Sequence, residues 1–98
     1  MTRETPEEVR DSLKEMVGEL DNFEIPIEVQ INILMGKIQG WKNTVYDAKK
    51  DAQVALVIDD NRLMQAAKLR LERAFKSIEF FEGELDILNK SQSGDAGE

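Results

Sequence analysis

Two seams of apolar residues, out of register with each other, constrain this chain more than any other feature. Ile27, Ile31, Leu34, Ile38, Trp41, Val45, Ala48, Ala52 and Ala55 recur at intervals that alternate between four and three. Ala67, Leu71, Ala74, Ile78, Phe81, Leu85 and Leu88 repeat the same alternation. That spacing returns a side chain to one stripe of a helix on every turn, the pattern of a seam between packed helices. Extending the first seam would reach Asp59 and Arg62, which are polar, so the two do not form one continuous rod. The segment Val57–Asn61 is therefore expected to be a tight turn, with Asp59 or Asp60 capping the following helix. Folding the seams back antiparallel pairs Ile31 with Leu88, Leu34 with Leu85, Ile38 with Phe81 and Trp41 with Ile78. Toward the turn it pairs Val45 with Ala74, Ala48 with Leu71 and Ala52 with Ala67, mixing small and large residues.

A shorter helix precedes the hairpin. In Thr5-Pro6-Glu7-Glu8, Thr5 can accept the Glu8 amide, Pro6 suits the first helical position, and Glu8 can reach back to complete a capping box. Val9, Leu13, Met16, Leu20 and Phe23 then form one stripe, and Asp21-Asn22 ends it. Phe23, Ile25, Ile27, Val29, Ile31 and Ile33 also alternate as a strand would. Pro26 interrupts that run and the longer helical pattern overrides it. The expected architecture is all-α, a short N-terminal helix over 5–22 followed by a long antiparallel, coiled-coil-like hairpin over 26–57 and 60–89. Residues 1–90 make one domain, and the tail 91–98, with nothing to bury, is expected to be disordered.

Composition limits the chemistry. The 98 residues include no His and no Cys, which removes disulfides, thiolate and imidazole metal sites, and the usual near-neutral proton shuttle. No catalytic constellation or Gly-rich phosphate loop is present, so the expectation is a non-enzymatic protein needing no cofactor. Glu79, Glu82 and Asp86 share a helix face but read as a solvated stripe rather than a Mg²⁺ site. Trp41, Met16, Met35 and Met64 read as packing residues, while Gly36 and Gly40, one turn apart, would permit close approach of another helix. No apolar run approaches the ~20 residues that span a bilayer, and the acidic start is not a signal peptide, so a cytoplasmic location is expected. Once the seam is filled, Val29, Ile33, Met35, Val54, Leu56, Val57, Leu63, Met64, Leu69, Phe75, Phe80 and Ile87 remain, more than the first helix can cover. A homo-oligomer built by bundling hairpins is expected from that excess.

The net charge of -7 is unevenly distributed. Residues 1–28 carry nine acids and three bases, and residues 77–98 six acids and one base. Residues 29–76 carry five acids and nine bases. A hairpin would collect those bases in its turn-side half and leave both acidic segments at its open end. Lys42, Lys49 and Lys50 flank Tyr46 at helical-neighbour spacing, and the constant-sum pairing brings Tyr46 toward Arg73 and Lys49 toward Arg70. An aromatic ring among Lys and Arg suits a base with its phosphate. The same bases also fit a solvated surface, or one that meets the acidic end of a neighbouring protomer. The candidate ligand-binding residues are Lys42, Tyr46, Lys49, Arg62, Lys68, Arg70 and Arg73.

The stretch from Arg62 to Ile78, with Lys68, Glu72, small Ala67 and Ala74, and apolar Leu71 and Ile78, resembles the late helix of small phage anti-CBASS proteins. Those proteins sequester cyclic oligonucleotide signals. The resemblance implies a compact oligomer that holds a cyclic oligonucleotide, or another small anionic ligand, with Lys68 and Arg62 on its phosphates. Leu69 and Arg73 stand where that family has hydroxyl residues, so those contacts do not carry over. Two other roles fit the same sequence. The acidic ends can mimic nucleic acid and occupy the basic cleft of a host protein, or the hairpin can serve as a structural or adaptor component of a particle.

Overall fold

In the computed structural model the chain forms three helices, α1 (Pro6–Leu20), α2 (Ile27–Ile58) and α3 (Asn61–Gly97). The structure describes residues 4–21 and 23–97, without the side chains of 92–97. The end expected for the first helix at Asn22 lies outside the described residues. α2 and α3 pack against each other as the expected hairpin. Each is long, about 48 and 55 Å at 1.5 Å per residue.

The corner follows from two adjacent aspartates. Asp59 takes the left-handed conformation (φ 57°, ψ 44°), the only positive φ at a non-glycine among the described residues. Its N–H and that of Asp60 both donate to the Ala55 carbonyl, the latter at 3.0 Å, which closes the C-terminus of α2. Asp60 then caps α3, its carboxylate accepting the Leu63 N–H at 3.1 Å while its carbonyl accepts Met64 N–H at 2.9 Å. The two acids divide the work: Asp59 ends one helix and Asp60 starts the next.

The seam is the one the spacing predicts except at its first residue, Ile27, which is exposed. Ile38, Ala48, Ala55, Ala67 and Ala74 are buried, and Ile31, Leu34, Trp41, Val45, Ala52, Leu71, Ile78, Phe81, Leu85 and Leu88 are half-buried. Ala48, Ala55 and Ala74 are fully enclosed, so the turn-side half of the seam is built on small side chains that let the two helices approach closely. α3 runs to Gly97, past the end expected at 89, so the segment expected to be a disordered tail continues the helix. No Pro interrupts it, and a helix once formed propagates at one hydrogen bond per residue.

α1 departs from expectation. Thr5 and Glu8 form the full capping box, with reciprocal bonds of 2.8 and 3.1 Å. Yet α1 makes no contact with either long helix among the described residues, and Val9, Leu13, Met16, Val17 and Leu20 are exposed. The partial covering of the hairpin expected from α1 is therefore corrected. Short-range bonds order the ends of the linker: Gln30 Nε2 donates to the Ile25 carbonyl at 2.6 Å, Gln30 N–H to the Pro26 carbonyl at 3.0 Å, and Phe23 N–H to the Leu20 carbonyl at 2.9 Å.

Candidate functional site

Seam geometry decides where each charged candidate lies. Within the four-residue step from Ala48 to Ala52, Lys49 and Asp51 fall on opposite flanks of α2. Within the step from Ala67 to Leu71, Lys68 and Arg70 are divided in the same way on α3. In an antiparallel pair the residues that follow Ala48 and Ala67 share one flank, and those that precede Ala52 and Leu71 share the other. Lys49 and Lys68 therefore belong to one flank, and Asp51 and Arg70 to the opposite one.

Contacts confirm the second flank directly. The Arg70 guanidinium donates to Asp51 Oδ2 through Nη1 and to Asp47 Oδ2 through Nη2, both at 2.8 Å. The hydrogen bond to Asp47 raises the Arg70 pKa above its ordinary value, desolvation opposes it, and the charges of Asp47 and Asp51 add to the rise. Arg70 thus spans α2 and α3 and directs its donors to protein carboxylates. The expected approach of Arg70 to Lys49 is corrected, because a constant index sum fixes the level along the seam and not the flank. Arg73, three residues on, lies on the Arg70 side, and Arg62 is exposed on the first turn of α3.

Tyr46 belongs with Lys42 and Lys49, four before and three after it, on the flank of Lys68. Its ring is exposed, and Lys50 Nζ stands 5.2 Å from its centroid. The pairing of Tyr46 with Arg73 across the seam is corrected for the same geometric reason. The seven candidates accordingly separate. Lys42, Tyr46, Lys49 and Lys68 form an open cationic strip, while Arg70 and Arg73 sit across the hairpin from it. Near the strip, Lys68 borders an apolar hollow of about 180 Å³ with Ala52, Leu56, Met64 and Leu71.

Two further hollows lie on the Arg70 flank, nearer the open end. One of about 490 Å³ follows α2 along Ile33, Gly36, Lys37, Gly40, Trp41 and Thr44. A Cβ built on Gly36 or Gly40 would meet nothing within 4 Å, so the close helix approach expected there is not made within one chain. The other, about 260 Å³, lies between Ile33 and Leu34 of α2 and Ile87 and Leu88 of α3. Exposed Phe80 joins this face to the seam through an edge-on contact with Phe81, centroids 5.5 Å apart. Sequence reasoning counted these apolar residues as surplus but did not see that they gather on one flank. The signal was present, since Ile33 and Gly40, and likewise Phe80 and Ile87, are seven apart.

Among the described residues no group of three or more His, Cys, Asp or Glu could hold a metal ion, and Glu79, Glu82 and Asp86 do not converge into one. Among the described residues no helix is long and apolar enough to cross a membrane. Comparison with protein-family models, with curated proteins and with solved structures finds no match to this chain.

Proposed function

We propose that this protein is a non-enzymatic assembly component that acts by packing its helices against those of further copies. One observation carries the reading. The chain exposes 8356 Å², whereas a compact monomer of its mass would expose about 5,700 Å². Its radius of gyration is 18.5 Å, against about 13 Å for a compact chain of this length. The excess per chain is more than the roughly 1,000 Å² that each partner contributes to a small obligate interface, and Ile33, Leu56, Phe75 and Phe80 are among the exposed apolar side chains. A structural or adaptor role follows from a surface of that kind, and a cytoplasmic setting suits the cysteine-free sequence. Sedimentation equilibrium at tens of micromolar tests it: a mass that is a multiple of 11.2 kDa is expected, and a single-chain mass overturns it.

A second reading is favoured by the strip of Lys42, Tyr46, Lys49 and Lys68. An open row of ammonium groups beside an exposed ring suits an anionic nucleotide, and a second protomer would supply the missing wall. This is the sequestering role that the α3 resemblance implies. Thermal-shift titration with cyclic di- and trinucleotides tests it. A rise with one of them that disappears in Lys68→Ala supports nucleotide binding, and no shift with any of them removes it.

A further inference from the structure

We infer that α1 of one copy docks on the Arg70 flank of a second copy, along the apolar face from Ile33 to Thr44. The inference rests on the assembly proposed above and names the surface through which it forms. Both halves of the contact are unpartnered within one chain. Val9, Leu13, Met16 and Leu20 form a continuous stripe on α1, and all four are exposed. An isolated helix of 15 residues is marginal in water, so α1 needs a surface to remain folded. Its own hairpin is not that surface, because α1 makes no contact with α2 or α3 among the described residues.

The receiving face matches in length, shape and charge. The α1 stripe from Val9 to Leu20 is about 16 Å long, and α2 covers the same distance between Ile33 and Thr44. Over that distance Gly36 and Gly40 hollow the surface, with Ile33 and Trp41 beside them and Phe80 and Ile87 across on α3. A ridge of Leu and Met side chains is what such a hollow accepts. Beside the α1 stripe, Glu8, Glu15 and Glu19 line one edge at intervals of seven and four. Arg73, exposed, lies along the outer edge of α3 on the receiving side, and Lys37 borders the hollow itself. The -6 segment of residues 1–28 would then cover part of the +4 segment of residues 29–76 in a neighbour.

The native chain has no cysteine, which makes the test selective. Leu13→Cys chains and Thr44→Cys chains are mixed in equal amounts and treated with a short bismaleimide. A mixed product with one chain of each kind is expected, since Leu13 is central in α1 and Thr44 lines the hollow. Like-with-like products alone, or no product, overturn the inference. Gly40→Leu supplies an independent arm. The position has open space in one chain, so helicity is retained, while the filled hollow weakens association at least tenfold. Gly83→Leu, also in open space but away from that hollow, leaves association unchanged. An oligomer that survives Gly40→Leu and gives no mixed product sinks this contact alone; a native chain that sediments as a monomer sinks the assembly as well.

Discussion

Ala74→Leu probes the seam where it has least tolerance. Ala74 has no exposed surface, and the register sets it against half-buried Val45 one layer from fully buried Ala48. A leucine there adds three carbons where neither backbone can yield without separating the helices. Overpacking of this kind costs about 1–3 kcal/mol. The chemistry is better controlled by Ala66→Leu, because Ala66 is exposed on the same helix and both substitutions have nearly the same intrinsic helix propensity. Urea unfolding followed by circular dichroism at one fixed chain concentration is the assay. With a slope of about 1–3 kcal/mol per molar for a small domain, the Ala74→Leu midpoint falls on the order of 1 M below that of Ala66→Leu. Equal midpoints for the two variants would refute the argument, because they would place Ala74 on an open helix face.

Asp59→Gly relieves the left-handed strain at the corner and raises stability by about 0.5–1 kcal/mol in the same assay; a loss would contradict the capping geometry. Asp60→Ala removes the α3 cap and lowers stability by about 1 kcal/mol, whereas Asp60→Asn loses little. Arg70→Gln lowers stability in dilute buffer and nearly loses that effect in about 1 M salt, since the guanidinium and both carboxylates are solvent-accessible. The folded-state pKa of Arg70 is raised, so its contribution is complete below the unfolded value and is lost only as pH rises through the folded one. The difference between native and Arg70→Gln midpoints should therefore stay constant from about pH 6 to 9. A difference that changes in that window would contradict the Arg70 ion pair as the source of the effect.

The hairpin was legible because its information is periodic. Alternating steps of three and four in two registers fix both the seam and the break between them, and Asp59-Asp60 supplies the corner that the break demands. The capping box at Thr5 was equally legible, because it involves only residues three apart. What the sequence did not reveal depended on rotation about the seam rather than position along it. Lys49 and Asp51 are two residues apart and lie on opposite flanks, so a site assembled by level alone mixed Lys68 with Arg70. The placement of α1 was also hidden, because an amphipathic stripe records that a helix needs a partner without recording which chain supplies it.

The hairpin itself is tested most directly by the distance between spin labels at Met35→Cys and Glu82→Cys, two exposed positions that the register sets on one flank. Labelled chains are diluted into unlabelled protein so that only intrachain pairs are read. Helices packed side by side, about 8–10 Å between axes, put the labels within about 25 Å. A distribution centred near 70 Å, the length of the 47 intervening residue steps along one unbroken helix, would contradict the fold and every surface derived from it.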